Sequence, residues 1–216
     1  MLLRYKKYVL NEDAEWITFV HGAGGSSAIW HKQIKTFKPH FNLLLIDLRG
    51  HGMSNGLNLP KGYNLDYSIK DILEVIDSLK IKVSSFMGVS LGTILVSKMA
   101  QDFPDRVKRV VLCGAITNLT PRTTFLLWSA KVIKGFTPPL LLYKLFAYII
   151  MPRKNHQESR LLFIKEASKI KYTVFKRWLS LLPEVKLALQ NFSKLSISQD
   201  ILFISQKIRL NDAPLK

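Results

Sequence analysis

The sequence predicts an α/β fold, a mostly parallel sheet flanked by helices, followed by a helical segment. Two observations carry this. Through about residue 115, short β-rich runs alternate with helix-period segments, and the strand runs are apolar on both faces, as strands covered by helices on each side must be. After Ile116 the rhythm changes to helix-like apolar segments broken by Pro121, Pro138-Pro139, Pro152 and Pro183. The 216 residues, 48% hydrophobic and 22% charged, are enough to bury a core without a disulfide or a metal.

Strands are expected at Arg4–Leu10, Trp16–Val20, Leu43–Asp47, Val83–Met87 and Val107–Cys113. Between them Ile69, Ile72, Leu73, Ile76 and Leu79 recur at helical spacing, as do Leu91, Leu95, Val96 and Met99. A last β-like run, Ile201–Ser205, returns to the sheet pattern. The expected organisation is a core over 1–117, a helical lid over 118–196, and a return to the core over 197–216. No repeat or low-complexity tract interrupts it.

The formal net charge is +17, from 32 Lys and Arg against 15 Asp and Glu. Most of the excess falls after residue 121, interleaved with Leu, Ile, Phe and Trp. That pattern suits the solvated face of amphipathic helices rather than a nucleic-acid-binding tail, with an anionic membrane surface as the weaker reading. No apolar run near Met1 resembles a signal peptide. Together with the single cysteine, Cys113, this leads to an expected cytoplasmic location. The most apolar stretch, Pro138 to Met151, is interrupted by Lys144 and falls short of the ~20 residues a membrane span needs.

Chemistry concentrates in three short segments. Gly88-Val89-Ser90-Leu91-Gly92 follows a strand run and opens a helix run. A serine on such a turn is held in a strained backbone conformation that projects its Oγ, and Gly88 and Gly92 let neighbouring backbone pass without a Cβ. His21-Gly22-Ala23-Gly24-Gly25-Ser26 follows the strand Trp16–Val20. Its small residues let the Ala23 amide face the same point as the Leu91 amide, so that the two could form an oxyanion hole. A phosphate cradle fits worse, because there is no G-x-x-x-x-G-K-[ST] and position 27, where a third glycine of G-x-G-x-x-G would fall, is Ser27. His21 is expected to orient backbone rather than carry protons. In Asp47-Leu48-Arg49-Gly50-His51-Gly52-Met53-Ser54, Asp47 and Arg49 are expected to pair and brace the loop.

These segments, with Phe103-Pro104-Asp105-Arg106-Val107 after them, resemble the α/β-hydrolase fold superfamily in order and spacing from about residue 15 to 115. Among its members the likeness is to lidded esterases, lactonases and related carbon–carbon hydrolases. The resemblance implies Ser90 as nucleophile toward an ester-like small molecule, an oxyanion hole at Ala23 and Leu91, no metal and no organic cofactor. With the interleaved charge, no nucleic-acid partner is expected, and the oligomeric state is left open. Phe125, Leu126, Trp128, Phe136, Leu140, Leu141, Tyr143 and Phe146 could line an apolar acyl pocket.

The family's triad also needs an acid and a histidine after the lid. Neither is identified here: Asp212 lies too far along, and no histidine follows His156. The principal expectation is a shortened or frameshifted hydrolase with impaired activity and an exposed apolar edge at Ile201–Ser205. The alternatives are His156 reaching in from the lid as base, or a hydrolase-fold protein that binds or regulates without catalysis.

Overall fold

A computed structural model describes residues 1–115, 139–191 and 198–204. Six strands form one sheet: β1 (Tyr5–Tyr8), β2 (Trp16–Val20), β3 (Asn42–Ile46), β4 (Ser84–Val89), β5 (Val107–Cys113) and β6 (Asp200–Ile204), in the order β1-β3-β2-β4-β5-β6. Only β1 runs antiparallel; the other neighbours are parallel. Strand bounds depart from expectation by a few residues. β1 is confined to the segment that pairs with β3, and β4 runs on to Val89, because its last residue still pairs with Cys113 of β5.

Among the described residues the α-helices are α1 (His31–Phe37), α2 (Leu65–Ser78), α3 (Leu91–Asp102), α4 (Pro139–Ile150), α5 (Gln157–Ala167), α6 (Tyr172–Ser180) and α7 (Leu182–Asn191). Asn64 caps α2, its side chain accepting the Tyr67 N–H at 2.7 Å, which satisfies one of the amides a helix start leaves open. The period-2 geometry of the strands divides the core in two. On one face Val20, Leu44 and Ile46 pack with Ile69, Ile72 and Ile76 of α2 and with Leu95 and Met99 of α3. On the other, Phe19, Leu43 and Leu45 pack with Trp30, Ile34 and Phe37 beside and within α1. A third cluster, Leu142, Tyr143, Ala167 and Phe175, holds α4, α5 and α6 together.

The strand order reverses at β2: the chain passes from β2 to β3 on one side and returns to β4 on the other. In an open parallel sheet the loops leaving the two strands at such a point diverge toward opposite faces and leave a crevice between them. Here those loops are the segment that begins at His21 and the turn at Ser90. At the far side, β6 pairs with β5 and exposes Leu202, Phe203 and Ile204. Asp212 and the segment from Ile116 to Leu119, together with Phe125, Leu126, Trp128 and Phe136, lie outside the described residues.

Candidate active site

Ser90 lies between β4 and α3 with φ 52° and ψ −118°, a left-handed conformation that is rare for a residue bearing a Cβ. Close packing holds it there. A Cβ on Gly92 would lie 2.2 Å from the Val20 carbonyl oxygen, and one on Gly88 would lie 2.5 Å from the Gly92 carbonyl oxygen. Only glycines let β2, β4 and α3 approach so closely. A Cβ on Gly22 would lie 3.0 Å from Ser90 Cβ and 3.5 Å from Ser90 Oγ, so the loop after β2 passes directly beside the serine.

Within that loop the Gly25 N–H donates to the Gly22 carbonyl at 3.1 Å and the Gly24 N–H to His51 Nε2 at 3.1 Å. The amides of Ala23 and Leu91 donate no hydrogen bond to any described residue. Ala23 is exposed, and Leu91 opens α3, where the first amides have no partner within the helix. The two sequence-predicted oxyanion donors thus come from the two loops that meet at the crevice.

Two buried histidines stitch the loop after β2 to the segment after β3, each ring reaching across to backbone of the opposite segment. His21 Nε2 accepts the Leu48 N–H at 3.0 Å, so its proton is on Nδ1, which donates to the Gly22 carbonyl at 2.8 Å. His51 Nε2 accepts the Gly24 N–H, and its Nδ1 donates to the Arg49 carbonyl at 3.1 Å. Burial pushes the pKa of His21 down to about 4. Burial and then the neighbouring His21 push that of His51 down to about 3. Both rings are neutral fasteners with no nitrogen left for a reacting proton.

Asp47 and Arg49 do not pair, contrary to the sequence expectation. The Asp47 carboxylate accepts the Ser27 N–H at 2.6 Å and the Met53 N–H at 2.9 Å, held at the end of β3 where these amides converge. Arg49 instead forks onto Asp71 of α2, at 2.7 Å from Nε and 2.6 Å from Nη2. Both side chains are buried, and the two-pronged geometry is the one that makes a buried pair tolerable.

The lid is fastened to the same loop. The Ser26 hydroxyl donates to Glu166 of α5 at 2.7 Å, and Lys169 holds the other carboxylate oxygen at 2.5 Å. Burial pushes the Glu166 carboxyl up, but Lys169 and the Ser26 hydroxyl outweigh it and hold the group below its ordinary value. Gly24, with φ +81°, leaves room for Tyr143 and Phe163, while Trp178 of α6 donates to the Arg49 carbonyl at 3.2 Å.

Ser90 opens onto a cavity of about 670 Å³ walled by Ala23, Trp30, Phe37, Met87, Phe146, Ile150 and Phe163, among others. Of the lid residues expected to line an acyl pocket, Phe146 does so. Leu141 is exposed, and Tyr143 is buried in the lid's own core against Phe163 and Phe175. The Cys113 thiol is on the wall too; burial pushes its pKa up, which leaves it the weaker nucleophile.

None of the chain's five histidines is hydrogen-bonded to Ser90. His156 is buried in the lid away from the cavity wall, with neither ring nitrogen partnered. His31 alone of the five lines the cavity, and its Nε2 meets Glu158 of α5 at 3.2 Å. Glu158, Glu166 and Asp71 were missed by the sequence reading, since each acquires its role through a partner at least 22 residues away.

A sheet with one antiparallel strand, a strained serine at the strand-order reversal and a helical lid define an α/β hydrolase. The model of the alpha/beta hydrolase fold family matches residues 15–202, and the chain belongs to that family. It is 32% identical over 111 residues to the protein of Agrobacterium fabrum named "Putative carbamate hydrolase RutD", covering 51% of this chain and 42% of that one. It is 28% identical over 131 residues to 3-oxoadipate enol-lactonase 2 of Acinetobacter baylyi, covering 58% and 47%. These matches span less than half the length of those relatives. The enol-lactonase of Burkholderia xenovorans superposes with a TM-score of 0.73 over 94% of this chain and 77% of that one, at 24% identity, a likeness of fold.

Proposed function

We propose that this chain is a serine hydrolase of an ester-like carbonyl compound, a carboxylic ester, lactone or thioester, with Ser90 as nucleophile. The observation that carries the reading is the strained Ser90 turn, whose Oγ opens on a largely apolar cavity beside two amides that have no acceptor among the described residues. Ser90 Oγ attacks the carbonyl carbon, and the amides of Ala23 and Leu91 take the charge that develops on its oxygen. The leaving group departs with a proton, and water then releases the acyl group from the serine. The named activities of the relatives, on carbamates and enol-lactones, lie within this carbonyl chemistry.

The proton from Ser90 has no hydrogen-bonded histidine to receive it, which supports impaired turnover. An enzyme reduced to its oxyanion hole and binding cavity keeps a residual rate of about 10³ over water. The same observation favours a second reading, a cavity that binds small apolar molecules without turning them over. A fluorophosphonate probe and a p-nitrophenyl ester assay separate the two. Slow labelling and slow turnover, both lost in Ser90→Ala, support the hydrolase. Folded protein that neither labels nor turns over supports the binding protein and overturns the hydrolase.

A further inference from the structure

We propose that the outer face of the lid docks onto an anionic phospholipid bilayer, with the rim of the Ser90 cavity against the lipid. Leu141, Leu145 and Tyr148 recur at one-turn spacing on α4, and each is more than half exposed; Ile149 and Ile150 extend the stripe. Arg160 of α5 stacks over the Tyr148 ring, 4.5 Å from its centroid, and beside it Leu161 is also more than half exposed. The apolar surface therefore crosses from α4 to α5. It also reaches the cavity, because Ile150 and Phe146 of the same helix line it.

Charge selects the partner. Residues 139–191 carry ten Lys and Arg against three Glu, and all three carboxylates are already engaged by other partners. Glu158 is held by Lys32 and His31, Glu166 by Ser26 and Lys169, and Glu184 accepts the Leu65 N–H. Lys144 lies within the stripe, and Arg153 and Lys154 follow it, all three exposed and paired with no carboxylate among the described residues. Apolar side chains ringed by unneutralised cations match an interfacial helix on acidic lipid. A second copy would bring the same cations face to face in a chain of net charge +17, which opposes association. The 12 residues of α4 extend only about 18 Å, against a hydrocarbon core of about 30 Å, so the helix lies in the interface instead of crossing it.

The test is co-sedimentation with vesicles of phosphatidylcholine alone and of phosphatidylcholine mixed with phosphatidylglycerol, at low and high salt. Binding to the mixed vesicles is expected, weaker at high salt and much weaker on phosphatidylcholine alone. The double substitution Leu145→Asp with Tyr148→Asp should weaken it about tenfold or more, and Lys144→Gln about fivefold. These positions face outward; circular dichroism checks that each variant folds, and Leu141→Ser is a milder variant of the same stripe. Failure to bind the mixed vesicles overturns the proposal. So does undiminished binding by the stripe variants, which would mark general adsorption of a basic protein. A dimer in sedimentation velocity that the same substitutions abolish would assign the face to a second copy. Ser90 labelling is read separately, so failure of docking leaves the hydrolase reading standing.

Discussion

Stability should fall steeply between pH 6.5 and pH 5, before most carboxylates begin to titrate, because of the His21–His51 pair. The rings are 5.1 Å apart between centroids and essentially inaccessible, and burial holds their folded pKa values near 4 and 3, against 6.5 for an unperturbed ring. A histidine whose folded pKa is depressed leaves stability intact above the unfolded value. That stability is lost as pH falls below it, because the unfolded chain takes up a proton the native ring refuses. At pH 5 each ring is about 1.5 units below its unfolded pKa, a loss of about 2 kcal/mol per ring and about 4 kcal/mol for the pair. That is a large share of the 5–15 kcal/mol that stabilises an ordinary domain. Urea unfolding at pH 7.5, 6.5, 5.5 and 5.0 measures it. His51→Gln should lower stability at pH 7.5 and reduce the pH slope by about half. A midpoint that stays level from pH 7.5 to 5.0 would refute the reasoning, since it would mean the rings protonate inside the folded protein.

The glycines around the serine and the lid fastening give two further outcomes. In Gly92→Ala the new methyl meets the Val20 carbonyl oxygen at 2.2 Å, and neither backbone can yield locally. α3 must shift, with a loss of about 1–3 kcal/mol or more and of fluorophosphonate labelling, whereas Gly56→Ala, with nothing within 4 Å, should change the unfolding midpoint little. Glu166→Ala strips the buried Ser26 hydroxyl of its acceptor at a loss of about 1–3 kcal/mol, and Glu166→Gln, which keeps an acceptor oxygen, should lose less. Because the Glu166 carboxyl is held below its ordinary value of 4.5, the native protein's advantage over Glu166→Gln should be full above that pH and fade below it. Equal midpoints for the two proteins at every pH would exclude the charged contact as a source of stability.

Local chemistry made much of the fold legible. Gly88-Val89-Ser90-Leu91-Gly92 announces its strand-to-helix turn because only that residue order tolerates a serine at φ 52° between two close backbone approaches. The apolar run of β3 reads correctly because all five of its residues are buried between helices. His21 reads as an orienting residue because a histidine after a buried strand finds backbone partners nearby.

The long-range pairings were not legible, since sequence spacing does not say which surface a charged side chain meets. Arg49 lies two residues from Asp47 and forks instead onto Asp71, because the amides of Ser27 and Met53 already converge on the Asp47 carboxylate. Glu166 becomes a fastener of the loop after β2 only when the lid packs 140 residues from Ser26. The sequence by itself determined the family, the strained serine and the two loops of small residues, because strand, turn and glycine requirements are satisfied within a few residues. Only the tertiary structure decided which carboxylates hold those loops, which histidine shares the cavity with Ser90, and that one face of α4 is left apolar and exposed, because each depends on which elements pack together.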